Sequence, residues 1–193
     1  LTRLAALKNL EYLTATSLPV RDLTPLAGLK KLHSLTLWST KVTDLTPLAG
    51  LQNLRSLGVG GPLRDISPLA ELEGLEALDL GHTRVADLTP LAGMTALRFL
   101  DLAGTPVVDL KPLAGLTSLE DLNLRDSRVQ DLKPLAGLKK LKQLNLEETP
   151  VADLTGLEGL VSLELLDASE TQVHDLKPLL QLRMLVFLCM HGK

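Results

Sequence analysis

Aspartate recurs at Asp22, Asp44, Asp65, Asp87, Asp109, Asp131, Asp153 and Asp175, and a carboxylate returning at a fixed interval is the first feature of this chain that could do chemistry. Stacked on one another, such groups would form an acid or metal ladder. Calcium, however, needs several oxygen ligands gathered in one loop, and this pattern supplies one carboxylate per interval. Each aspartate precedes Leu or Ile, and seven of the eight stand three residues before a proline, with Gly156 taking that place once. A short acid there accepts hydrogen bonds from the backbone of the coming turn. The structural role is therefore the one assigned to it.

Other reactive groups are sparse. His33, His82, His174 and His191 show no ligand spacing to one another or to a cysteine. Cys189 is the single cysteine, so no intrachain disulfide is possible. With no base assigned to it, it reads as a small residue of an end strand rather than a nucleophile. Gly58, Gly60 and Gly61 follow no phosphate-loop pattern. No catalytic residue, no metal site and no cofactor is expected.

The elements that hold these residues follow from the interval itself. Successive aspartates are separated by 22, 21, 22, 22, 22, 22 and 22 residues, the mark of a solenoid. In the unit from Asp22 to Thr43, Leu23, Leu26, Leu29 and Leu32 are spaced by three, and the spacing becomes two at Leu35 and Leu37. The alternating stretch predicts a short strand with one buried face. The Thr-Pro-Leu-Ala-Gly stretch suits a turn or a short 3₁₀ segment, because proline presets φ and the piece is too short for a stable α-helix. Strands are predicted at 11–15, 33–37, 55–59, 76–80, 98–102, 120–124, 142–146, 164–168 and 186–190. One unit cannot bury its own leucines, but stacked units cover one another and share a continuous core. Parallel strands roughly 4.8 Å apart would span about 40 Å.

The exposed face of that sheet carries the variation. One column reads Tyr12, Ser34, Ser56, Ala77, Phe99, Asp121, Gln143, Leu165 and Phe187. Its neighbour reads Thr14, Thr36, Gly58, Asp79, Asp101, Asn123, Asn145, Asp167 and Cys189. The next two include Trp38, Arg125, Glu147 and His191, and then His82, Asp126, Glu148 and Glu170. Core positions repeat while these diverge, as a binding surface would. Residues 98–193 hold 14 acids against 11 bases, and seven of the acids fall in these columns, with Arg125 the one base among them. A solvated face would mix its signs. The expected partner is a protein or peptide, basic in character, meeting Tyr12, Trp38, Asp79, His82, Phe99, Asp101, Asp121, Asn123, Arg125, Asn145, Glu147 and Asp167. Near the short interval, Gly58, Gly60 and Gly61 strip the surface of side chains. A shallow hollow walled by Trp38 is expected there, with packing of the indole over the glycines as the alternative. At the far end, Leu165, Phe187 and Cys189 place apolar groups outward on a final strand, an expected site of weak self-association unless covered.

The Asp-(Ile/Leu)-x-Pro-Leu-Ala turn alternating with Leu-x-x-Leu-x-Leu resembles the leucine-rich repeat family, in its 22-residue class, and most closely the bacterial internalin-like repeats. The resemblance covers essentially the whole chain. It implies a right-handed curved solenoid with its parallel sheet on the concave side and turns with short 3₁₀ segments on the convex side. It also implies work by docking, as in adhesive, effector and phosphatase-regulatory members. The family usually has Asn after the strand. Here Thr40, Thr83, Thr105, Ser127, Thr149 and Thr171 hold that position, with Leu18 in the first repeat, so a threonine ladder with partial backbone satisfaction is expected.

Residues 1–193 read as one domain of about eight and a half repeats, because repeats touch only their neighbours. Leu1 aligns with Leu23, inside a repeat, and a piece of a longer protein is the expectation. A net charge of −3 argues against nonspecific nucleic-acid binding, and no run of about 20 apolar residues is present to span a membrane. A protein-binding module is the expected function, with the recognition arm of a multidomain enzyme or signalling protein as the alternative.

Overall fold

Parallel pairing in strict register organises the chain. In the computed structural model, which describes residues 1–192, nine strands form one sheet in sequence order. They are β1 (Tyr12–Thr14), β2 (Ser34–Leu37), β3 (Ser56–Val59), β4 (Ala77–Asp79), β5 (Phe99–Asp101), β6 (Asp121–Asn123), β7 (Gln143–Asn145), β8 (Leu165–Asp167) and β9 (Phe187–Cys189). Each lies inside its predicted segment. The short interval does not disturb the register: Leu57 of β3 still faces Leu78 of β4. The missing residue is absorbed in the loop after β3, where Gly61 takes φ 99°. The result is a curved leucine-rich-repeat solenoid whose concave side is the sheet.

Opposite the sheet, short 3₁₀ segments run through the proline turns, for example Thr24–Leu26, Thr46–Leu48, Ser67–Leu69 and Lys111–Leu113. Oδ1 of Asp22 accepts from the N–H of Thr24 at 2.8 Å, and the same bond recurs at Asp44, Asp65, Asp87, Asp109, Asp131, Asp153 and Asp175, at 2.8–3.0 Å. The aspartates thus satisfy the first donor of each turn, and the proline that follows has no N–H to satisfy. Where serine or threonine follows, at Asp22, Asp44, Asp65, Asp87 and Asp153, hydrogen bonds from its side chain and backbone hold the carboxyl below its usual range. The unit with Gly156 in place of proline forms no 3₁₀ segment among the described residues. Gly156 takes φ 108°, which proline's ring forbids, and a Cβ there would lie 2.7 Å from the carbonyl oxygen of Leu132.

The core is a stack of equivalent leucines. Leu23, Leu26, Leu29, Leu32, Leu35, Leu37 and Val42 are buried, as are their counterparts up to and including the unit that begins at Asp153. Burying one such side chain stabilises by about 1.5–3 kcal/mol. In the last unit the stack is partly exposed: Leu176 is 38% exposed, Leu188 40% and Met190 37%.

Two features of the turns after the strands bear on the expectations. The hydroxyls of Thr40, Thr83, Thr149 and Thr171 donate to the carbonyls three residues earlier, at 3.1, 2.7, 2.6 and 2.6 Å. The bonds therefore close each unit's own turn rather than linking units. Second, the column Ser17, Ser39, Gly61, His82, Gly104, Asp126, Glu148 and Glu170 lies entirely at positive φ, between 52° and 99°. That conformation costs an ordinary residue about 1–2 kcal/mol. This column is a turn position before it is a surface.

Ser127 breaks the threonine series. It is buried, and its hydroxyl has no partner among the described residues. Ser127→Thr should fix the hydroxyl onto the Leu124 carbonyl and raise stability by about 1 kcal/mol. The measurement is urea unfolding, with the midpoint moving up at unchanged slope. A lower midpoint would show that the turn has no room for the methyl group.

Candidate functional site

The concave sheet brings the predicted residues together in two registered columns. Tyr12, Ser34, Ser56, Ala77, Phe99, Asp121, Gln143, Leu165 and Phe187 face one another strand to strand. Beside them run Asp79, Asp101, Asn123, Asn145, Asp167 and Cys189. Tyr12 is exposed and stacks on His33 at 6.4 Å, away from the centre of the face. Phe99, Asp79, Asp101, Asp121, Asn123, Asn145, Glu147, Leu165 and Asp167 are half-buried, while His82 and Arg125 are exposed.

The second column also has a backbone task. Asp79 accepts from the N–H of Gly81 at 3.0 Å, Asp101 from Ala103 at 2.8 Å and Asp167 from Ser169 at 2.9 Å. Asn123 and Asn145 do the same for Arg125 and Glu147, at 3.1 and 2.9 Å. One side-chain oxygen per residue is therefore engaged in closing the strand end. The other oxygen of Asp101 accepts from the Asn123 amide at 2.8 Å.

The charge distribution corrects the expectation that bases avoid this face except at Arg125. A column at the lip, overlooked in the sequence, alternates in sign: Arg55, Glu76, Arg98, Glu120, Lys142, Glu164. Glu120 takes Arg98 and Lys142, each at 2.7 Å, and Arg55 stands 3.9 Å from Glu76. The two bonds to Glu120 hold its carboxyl below the usual range. On the opposite lip Arg125 is shared between Glu147 at 3.2 Å and Glu148 at 2.9 Å. The lips are paired and the floor is not. No salt bridge reaches Asp79, Asp101, Asp121 or Asp167 among the described residues. Burial, and then the Asp101 carboxylate, push Asp79 up to about 6 against the pull of the Gly81 N–H and of His82. The same two causes, in the same order, raise Asp121.

Trp38 does not wall a hollow. Its indole lies over the glycines: a Cβ on Gly58 would meet it at 3.4 Å and one on Gly60 at 2.7 Å. Gly58 and Gly60 are buried beneath the ring, which is half-buried itself. His82 likewise covers Gly104, where a Cβ would fall 2.5 Å from the ring. The Cys189 sulfur lies 3.2 Å from Nδ1 of His191 and accepts from the hydroxyl of Ser169 at 3.2 Å. Phe187 points outward as expected, and Leu188 beside it, in register with Leu166, is 40% exposed.

One open parallel sheet, strands of three or four residues and 3₁₀ segments repeating at 22 residues define a leucine-rich-repeat protein. The family model for leucine rich repeats in two copies matches residues 117–159. A comparison with curated proteins finds no match. Among solved structures, internalin C2 of Listeria monocytogenes is 34% identical, with TM-score 0.89, over 93% of this chain and 80% of its own. A second Listeria internalin, inlF, is 31% identical, with TM-score 0.91, over 97% of this chain and 56% of its own. A leucine-rich-repeat protein of Leptospira interrogans is 25% identical, with TM-score 0.92, over 98% and 50%. The chain belongs to the internalin-like leucine-rich-repeat family, and it spans about half the length of the inlF and Leptospira chains. The plant peptide hormone receptor RGFR1, solved in complex with RGF2, shares the fold alone at 20% identity and TM-score 0.72.

Trp38→Ala should lower stability by about 2 kcal/mol, since it uncovers two backbone glycines and removes a large half-buried ring. Urea unfolding reads the loss directly. An unchanged midpoint would return Trp38 to the role of a free surface anchor.

Proposed function

We propose that this chain is a non-catalytic docking module that binds a protein or peptide across its concave sheet, with a basic surface of the partner facing the acidic floor between β4 and β8. One observation carries the reading. Asn123 and Asn145 close their strand ends with the same bond that Asp79, Asp101 and Asp167 make. The fold therefore does not need charge at these positions. The Asp121 side chain makes no hydrogen bond among the described residues, and its registered neighbours are Phe99 and Gln143. Half-burial works against ionisation here, so the charge answers to something outside the fold. Phe99 and Leu165 add half-buried apolar area to the same floor, and apolar groups amid polar ones are what recognition surfaces use.

A random peptide library selected on the immobilised chain tests the proposal. Lysine- and arginine-rich sequences should be recovered, with association rates falling about tenfold or more between low and high salt. The variant Asp101→Asn, Asp121→Asn, Glu147→Gln, Asp167→Asn should lose them. Recovered peptides that bind this variant unchanged would place docking elsewhere.

We also infer that copies of the chain meet weakly at β9. The unpaired edge of β9, with Val186, Phe187, Leu188 and Met190 exposed, is the kind of surface that recruits another chain. Sedimentation at two concentrations should show the coefficient rising, and Phe187→Ser should flatten it. A strictly monomeric chain at both concentrations would remove this inference.

A further inference from the structure

We propose that docking at the concave floor is proton-linked: cationic side chains of the partner and protons compete for the carboxylates of Asp79 and Asp121, which flank Asp101, so acidification releases the partner. The inference rests on the docking function proposed for this face.

The three carboxylates sit on the adjacent strands β4, β5 and β6. Asp79 and Asp101 are registered partners. A Cβ on Gly81 would lie 3.3 Å from Oδ1 of each, so the two oxygens close on the same buried glycine. Asp121 stands across from Phe99, on the other side of Asp101. Among the described residues, the groups around these carboxylates bring no arginine or lysine without a salt bridge. From β3 comes Gly58, covered by the Trp38 indole. The turn after β4 brings His82, which is exposed. From β6 comes Asn123, whose amide already bonds Asp101. From β7 come the neutral Gln143 and Asn145. Arg98, at the lip beside Phe99, is held by Glu120, and Arg125 by Glu147 and Glu148.

An isolated, half-buried carboxylate among its own kind has two remedies, a proton or a cation. Burial and like charge favour the proton; an incoming ammonium or guanidinium favours the ionised form. Because Asp79 is pushed up to about 6 and Asp121 is raised as well, the competition falls in mild acid rather than near pH 4. The sign follows directly. A cation binds the ionised form, which dominates at pH 7.5. At pH 5 a group titrating near pH 6 is ionised in only about one molecule in ten, and the apparent affinity falls in that proportion.

N-acetylated, C-amidated hexalysine is a suitable probe, because its remaining charges are lysine ammonium groups that stay protonated across this range. Calorimetric titration of the chain would be run at pH 7.5, 6 and 5, at one low ionic strength, in two buffers of different ionisation enthalpy. The dissociation constant should rise about tenfold from pH 7.5 to 5, and binding near pH 6 should release protons. Asp79→Asn, which keeps the bond to Gly81, should bind with most of the pH dependence gone, and Asp121→Asn should reduce it. His82→Gln should leave it in place. Binding of equal strength at all three pH values would overturn the linkage and leave the docking reading standing. So would a pH dependence that disappears with His82→Gln or survives Asp79→Asn. Absence of binding at every pH would overturn both.

Discussion

The interaction on which this structure depends is the registered stacking of one leucine on the next. A unit of 22 residues has too little of itself to bury a leucine, so each unit is stable only as far as its neighbours cover it. Parallel pairing makes that cover all-or-none, because a slip of one residue would turn every strand leucine outward. The 21-residue interval shows how strongly register is held. Leu57 and Leu78 remain opposed, and the deletion is pushed into a loop that tolerates it through Gly61 at positive φ. What remains is to turn the chain twice per unit without leaving buried donors unpaired. Both turns use the same device, a short side-chain oxygen reaching the N–H two residues ahead. Asp22 and its counterparts do so before the 3₁₀ segment, and Asp79, Asp101, Asn123, Asn145 and Asp167 do so at the strand end.

That economy limits where the sequence is free. Core positions are set by stacking, and turn positions by hydrogen bonds and φ. The concave columns are left, and even there freedom is partial. The residues at positive φ are constrained by conformation, and from β4 to β8 the strand-end residues each use a side-chain oxygen to close the turn. Within these limits the chain still varies charge, pairing it along both lips and leaving it unpaired on the floor. A surface divided in this way orients a cationic partner toward the centre of the sheet, because the lip charges neutralise one another at short range and salt screens what is left.

The legibility of each feature tracks the range of the interaction behind it. The strands, the 3₁₀ segments and the role of Asp22 and its counterparts are local, depend on a few neighbouring residues and recur at a constant interval, so the sequence displays them. The positive-φ column was written in Gly61 and Gly104, but Ser39 and Glu148 share the conformation and conceal it, since φ is set by the turn and not by the residue. The alternating lip column was visible at the same period, yet its pairing needs distances: Glu120 reaches both neighbours at 2.7 Å. The resting place of Trp38 was not legible at all. Whether an indole borders glycines or lies across them depends on side-chain rotation, which a repeat pattern does not encode. The Cys189–His191 contact is hidden for the same reason, because two residues apart on an extended chain say nothing of where the ring swings.

A repeat protein supplies its own controls, and they bear on function as well as stability. Proline and Gly156 occupy one position in different units; every proline unit forms the 3₁₀ segment, as does the first unit with Arg3 there, and the Gly156 unit forms none among the described residues. Thr105 and Ser127 occupy another, and only the threonine finds a partner for its hydroxyl. The strand-end position compares Asp with Asn in the same way. Here the two residues make the same bond, so the comparison removes folding as the reason for charge. It leaves charge that the local environment resists at Asp79 and that its registered neighbours at Asp121 do without. A cost to the isolated fold that no structural bond offsets is expected where a partner supplies the missing counter-charge, and the floor between β4 and β8 is the part of this molecule that meets that condition.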